Sequence, residues 1–262
     1  MMHLYEGGNA IPESNEVSKE DVAGVIQTAK QALPPELLKN LQIDIGSAGY
    51  KLKSGDIDIM VEASDVVELF KTTETKDPVK DAKKLLEKFF KDKGIKAVTN
   101  GRNVSIGIPY KEQATGKQLL AQVDVMVIQD VAIVAPYHQH GPRGMYDDPA
   151  FKGSPIFMLI SSIAKFLGLK FDAFGAKLVR RDNDEVVART RKEVAKVLLN
   201  PKAKEDTLNS VKSIMDALKT DPDREGKLAQ ARQDQAKGLI ALPEDIHPGT
   251  AAWFRQLSDD IK

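Results

Sequence analysis

The chain has 262 residues, and its 38 basic and 38 acidic side chains cancel to a formal net charge of zero at pH 7. Hydrophobic residues at 42% and charged ones at 29% are the balance of a folded globular protein and exclude a disordered polyelectrolyte. With no cysteine there is neither a disulfide nor a thiolate metal site, and neutrality argues against tight, non-specific gripping of a long nucleic acid.

Taken in chain order, the first element is a helix. Ser18 and Asp21 precede apolar residues at helical spacing (Val22, Val25, Ile26, Ala29), so a capped helix is expected to about Ala32, ended by Pro34 and Pro35. Strands are expected at 42–45 and 56–62, helices over 66–70 and 79–90, and strands at 95–99, 103–109 and 119–128, with a short one at 131–134. An amphipathic helix is expected over 156–167 with Pro155 in its first turn. A hairpin follows over 178–187, interrupted by Asp182-Asn183-Asp184. Beyond it the pattern is helical at 190–199, 205–219, 223–239 and 249–261. The sum is an α+β fold: a mixed sheet with helices on one face, then a smaller α/β part and a helical extension. No segment approaches the roughly 20 apolar residues of a membrane-spanning helix, and the N-terminus lacks an apolar core of signal-peptide length. The expectation is a cytoplasmic protein with no membrane partner; its oligomeric state is open.

Chemistry concentrates in Gly46 to Val61, GSAGYKLKSGDIDIMV. Residues two apart in a strand share a face, so Asp56 and Asp58 present two carboxylates together while Ile57 and Ile59 turn into a core. Two like charges held that close repel unless a cation lies between them, and magnesium favours one or two carboxylates plus substrate phosphates. The competing reading is a solvated strand face. Gly46 and Ser47 form a small-residue turn whose backbone N–H groups suit a phosphate. Lys51 and Lys53 in the following loop bring positive charge. Asp124 is the lone carboxylate in the apolar strand Gln122 to Val127; such a group is costly to bury unless it is paired or holds a metal. It is the expected third ligand.

A hydrophobic residue, Gly-Ser, a short loop, Asp-x-Asp and a distant third Asp resemble the DNA polymerase beta-like nucleotidyltransferase superfamily. SGDIDIMV and QVDVMVI are most similar to the palm strands of family X DNA polymerases. The likeness continues through Phe151-Lys152-Gly153-Ser154, Gly168-Leu169-Lys170, Phe174-Gly175 and Thr190-Arg191-Lys192-Glu193, covering roughly Gln42 to Leu199. It implies four segments: an N-terminal helical one (1–40), a catalytic palm (41–150), a nucleotide- and primer-binding subdomain (151–200) and a helical extension (201–262).

The resemblance also implies two Mg²⁺ or Mn²⁺ ions held by Asp56, Asp58 and Asp124. Nucleotide phosphates would rest on Gly46, Ser47, Lys51 and Lys53, with Phe151, Gly153 and Ser154 packed on the sugar. The partners are then a nucleoside triphosphate and a nucleic-acid 3′-end. Departures accompany the likeness. Ala48, Gly49 and Tyr50 stand where the family usually has phosphate-binding arginines, Met158 where an asparagine often contacts the base, and Ser162 where a template-sensing arginine is frequent. No Gly-rich helix-hairpin-helix segment precedes the first palm strand.

The expected activity is therefore metal-dependent transfer of a nucleoside monophosphate to a hydroxyl acceptor, a DNA 3′-end first among them. The alternatives are transfer to RNA, tRNA, protein or a small molecule, and a non-catalytic nucleotide-binding module. Lesser candidates are His138 and His140 in an expected loop, Arg180 and Arg181 near the hairpin, Trp253 and Phe254 in the last helix, and the basic run from Lys165 to Lys204. Each is also explained by ordinary surface or packing roles.

Overall fold

Strand alternation is visible directly in the computed structural model, which describes residues 10–43, 45–49, 52–70, 77–139, 153–172, 175 and 177–236. The chain forms two compact units, residues 1–135 and 136–262. Among the described residues, no helix is long and apolar enough to cross a membrane.

The first unit contains a two-stranded ribbon of β1 (Val17–Ser18) and β2 (Lys53–Ser54), antiparallel, and a four-stranded mixed sheet. The sheet is ordered β3 (Ile57–Glu62), β6 (Gln118–Ile128), β5 (Asn103–Lys111), β4 (Ala97–Asn100), with β3 parallel to β6 and the other pairs antiparallel. Ile57, Ile59 and Val61, with Val104, Ile106, Ile108, Val123, Val125 and Val127, make one wholly apolar face. Against it pack α1 (Val22–Ala32), α2 (Ala63–Leu69) and α3 (Pro78–Asp92) through Val25, Ala29, Val66, Ala82, Leu86 and Phe90. Each fully buried Leu or Phe here contributes about 1.5–3 kcal/mol. α3 is well started: Pro78 occupies its first turn and the Asp77 side chain accepts from the Lys80 N–H at 3.0 Å. The mixed sheet with helices on one face matches the architecture expected from the sequence.

One expected strand is not there. Residues 131–134 belong to helix α4 (Val131–His138). Asp130 explains the difference: its side chain accepts from the Ile133 N–H at 3.2 Å and its carbonyl from Val134 at 3.0 Å, while Glu62 Oε2 accepts from Val131 N–H at 2.8 Å. These bonds satisfy the first turn of a helix and outweigh the β preference of two valines and an isoleucine. Among the described residues of 42–45 there are likewise isolated bridge positions rather than a run of strand. Gln42 forms an isolated antiparallel bridge with Met60, with N–H···O bonds of 3.0 and 2.8 Å.

The second unit holds a three-stranded antiparallel sheet, β7 (Leu169–Asp172), β8 (Lys177–Arg180) and β9 (Val186–Ala188), the last two forming the expected hairpin. α5 (Gly153–Phe166) packs on β7 and on α8 (Arg224–Ala236). α6 (Arg191–Leu198) opens with a capping box in which Thr190 and Glu193 each accept from the other's backbone N–H. The single helix expected over 205–219 is two pieces, a 3₁₀ turn over Glu205–Leu208 and α7 (Val211–Leu218). Ser210 starts α7 anew by accepting from the Ser213 N–H at 3.0 Å. The expected helix at 249–261, with Trp253 and Phe254, lies outside the described residues.

Candidate functional site: a carboxylate row on the mixed sheet

The face of the mixed sheet opposite the helices carries the polar residues. Paired strands present directly opposed residues on the same side, and the register aligns Asp58 of β3 with Asp124 of β6, and Asp124 with Ser105 of β5. Three neighbouring strands thus place Asp58, Asp124 and Ser105 in one row. Asp56 lies just before β3. Burial, then the negative charges of Asp56 and Asp124, push the Asp58 carboxyl up to about 7. The order of causes matters: desolvation leads, and the two other aspartates add to it. Among the described residues, no lysine or arginine forms an ion pair with Asp58 or Asp124.

Asp124 is only 7% exposed and is held by neutral donors. Gln122 Nε2 donates to its Oδ1 at 2.9 Å, and Asn103 Nδ2 donates to its Oδ2 at 3.0 Å. Each carboxylate oxygen keeps a further lone-pair direction for another ligand. The hydroxyl of Ser105 is fully buried and has no hydrogen-bond partner among the described residues. A buried unsatisfied hydroxyl costs about 1–3 kcal/mol, so this row is not a relaxed structural network.

The turn that follows Gln42 closes on the same carboxylates. Ile45 is buried, and Gly46 adopts φ 72°, the left-handed region that favours glycine. Its Cα faces Asp58 so closely that an added Cβ would overlap Asp58 Oδ2. Ser47 is half-buried beside it. Lys53 is exposed in the β1–β2 ribbon. Lys51 and Phe151 lie outside the described residues. Gly153 and Ser154 are the first two residues of α5 and belong to the second unit.

The remaining sequence candidates have ordinary structural partners or locations. His138 is the last residue of α4 and its ring lies tilted against the Phe157 ring, 5.0 Å between centroids; His140 lies outside the described residues. Arg180 Nε pairs with Glu185 at 3.1 Å, and Arg181 Nε donates to the Leu169 carbonyl at 2.7 Å. Ser162 is buried and donates to Asp234 at 3.0 Å. Arg191, opening α6, lies 5.3 Å over the Tyr137 ring and donates to Asn209. Lys165, in the basic run, pairs with Asp234 at 2.5 Å.

Three site residues were missed from the sequence: Gln122, Asn103 and Ser105. Gln122 had a signal, since it stands two residues before Asp124 and therefore on the same strand face. Asn103 and Ser105 had none, because only the β5–β6 register brings them to Asp124.

A divalent cation fits this donor set in kind. Its oxygens are hard carboxylates, crowded together, and the cations of the described residues leave Asp58 and Asp124 uncompensated. As the side chains stand, no group of three or more His, Cys, Asp or Glu among the described residues is gathered closely enough to hold one. No family model matches the chain, and no curated protein matches it.

Proposed function

We propose that the first unit is a divalent-cation-dependent nucleotidyltransferase centre, a palm of the DNA polymerase beta-like type that moves a nucleoside monophosphate onto a hydroxyl acceptor. The observation that carries this reading is the alignment of Asp58 with Asp124 on parallel strands, with Asp56 beside them and no cation among the described residues paired to either aligned group. Crowded carboxylates such as Asp58 and Asp124 form a high-energy arrangement that a metal–triphosphate complex would relieve.

Asp56 and Asp58 would hold one cation, and together with Asp124 a second. When bound, such ions neutralise phosphate charge and lower the pKa of a bound hydroxyl. The chain's own groups do the rest. Asp124, fixed by Gln122 and Asn103, is oriented to take the acceptor's proton as its oxygen attacks the alpha phosphorus. The new O–P bond forms as the alpha–beta P–O bond breaks and pyrophosphate leaves. The Gly46-Ser47 turn is pressed against Asp58, and its backbone amides, with exposed Lys53, would receive the outer phosphates. The resemblance of Phe151, Gly153 and Ser154 to the sugar-contacting turn of family X polymerases supports a nucleotide as substrate and a DNA 3′-end as acceptor.

A second acceptor class, such as an RNA end, a protein or a small molecule, is favoured by one observation: the zero net charge of the chain. The burial of Ser162 against Asp234 adds to it, because that position is engaged inside its own unit rather than offered to a template.

The test is incubation with Mg²⁺ or Mn²⁺, labelled nucleotides and a panel of primers and other acceptors. Asp58→Ala and Asp124→Ala should each lower label transfer roughly 10²-fold or more, as expected for loss of a group acting in the transition state. Wild-type transfer by Asp58→Ala would refute the assignment.

A further inference from the structure

Gln122 is oriented from both ends. Its amide nitrogen donates to Asp124, while its amide oxygen accepts two backbone N–H groups, from Ala10 at 2.9 Å and Ile11 at 3.0 Å. These two contacts fix which way the amide points, since only the oxygen can accept from the N–H pair and only the nitrogen can donate to the carboxylate. The side chain is 1% exposed, so neither bond competes with bulk water.

The segment supplying the two N–H groups is laid down by independent contacts. Asn15 N–H donates to the Leu120 carbonyl at 2.7 Å, tying the segment to β6 two residues before Gln122. Ile11 is 3% exposed and packs over Gly107, which the register places directly opposite Gln122. A Cβ at Gly107 would stand 3.4 Å from Ile11 Cγ2 and 3.2 Å from Leu120, so the glycine leaves the gap this side chain fills. The segment before the first helix therefore lies on the acid-bearing face of the sheet.

We propose that Ala10 and Ile11, acting through Gln122, form a strap that positions the Asp124 carboxylate for cation binding. Gln122 is a positioning residue, not a ligand: among the described residues its side chain hydrogen-bonds Asp124 and the strap. The inference rests on the cation-binding reading of Asp58 and Asp124. It predicts that a stretch far from the Asp-x-Asp motif, with no charged group at the site, controls how strongly the site holds a divalent ion. Partners of this kind, one shell out from a ligating carboxylate, typically change metal affinity 10- to 100-fold when removed.

The experiment measures Mn²⁺ binding to the full chain by electron paramagnetic resonance, below the unfolding temperature of every variant. Gln122→Met keeps the volume and removes both sets of hydrogen bonds; Mn²⁺ affinity should fall about 10-fold. Ala10→Pro leaves Gln122 intact and removes one strap donor; affinity should fall in the same direction by less. Asp124→Asn is the reference loss. A purely structural role for Gln122 would lower the melting temperature and leave the Mn²⁺ affinity of the folded protein unchanged. That result, with wild type binding and Asp124→Asn not, overturns the strap while the cation site stands. Failure of the wild-type protein itself to bind Mn²⁺ overturns the cation site, and the strap with it.

Discussion

Both units bury aspartates, and they treat them in opposite ways. In the second unit Asp221 meets Lys227 Nζ at 2.6 Å, with the side chains only 1% and 3% exposed, and its other oxygen accepts the Asp223 N–H at 2.8 Å. Asp234 likewise takes Lys165, Ser162 and Gln230, and its carboxyl is held below the usual range by those partners despite the opposing effect of burial. In the first unit Asp58 faces Asp56 and Asp124 instead, and its carboxyl is pushed up to about 7. Asp221 is thus an internal staple, whereas Asp58 has no ion-pair partner among the described residues and its ionised form is disfavoured. Asp221 and Asp234 meet lysines, whereas among the described residues the aligned pair Asp58 and Asp124 meets none, which is the observation behind the proposed cation site.

The contrast can be broken most forcefully at the staple. Lys227→Met leaves Asp221 buried without its cation and should destabilise the second unit by about 3–5 kcal/mol, read from urea unfolding. A loss below about 1 kcal/mol would mean that the pair contributes little and that the comparison fails on that side.

Asp58→Asn should act in the opposite direction. A carboxyl whose folded pKa lies near 7, above its unfolded value of 3.8, binds more protons folded than unfolded between those limits. Stability therefore falls as pH rises from about 4 to 7, and the deficit persists above 7. Removing the charge should raise stability at pH 8 by about 1–3 kcal/mol and change little at pH 3.5, as followed by thermal unfolding at both values. Equal effects at the two pH values would show that Asp58 is not a strained carboxylate. The same variant should lose Mn²⁺ binding, so stability and function separate at one side chain.

Gly46→Ala sharpens the comparison with a smaller step. The residue is in left-handed backbone and its added methyl would collide with Asp58 Oδ2. The expected cost is about 1–2 kcal/mol of stability, accompanied by weakened Mn²⁺ binding because the carboxylate has to move. Binding unchanged alongside a stability loss would detach the turn from the site.

Much of this arrangement is legible in the residues themselves. The alternation of Ile57, Ile59 and Val61, and of Val123, Val125 and Val127, announces strands with one apolar face and consigns Asp58 and Asp124 to the other. α3 reads clearly because Asp77-Pro78 marks its start and its apolar positions recur every three or four residues. Residues 131–134 misread because their β-branched run is local, whereas the Glu62 carboxylate that accepts the Val131 N–H comes from 69 positions earlier. The 205–219 stretch misread because Ser210 looks like a helical residue until its side chain is seen capping Ser213.

The sequence by itself determined the kinds of group involved: two aspartates on strand faces and a third, Asp56, which it expected in the strand and which the structure sets just before it, a Gly-Ser turn, no thiol ligand and no net charge. Only the tertiary structure decided their company. Parallel pairing of β3 with β6 put Asp58 against Asp124, antiparallel pairing of β5 set Ser105 opposite Asp124 and brought the Asn103 amide to its carboxylate, and the segment at Ala10 and Ile11 reached Gln122 across 112 and 111 positions. The physical reason is that a strand fixes which side a residue faces, by its period of two, but not which neighbour it faces. That neighbour is set by register, and register is decided by burying the whole apolar face at once.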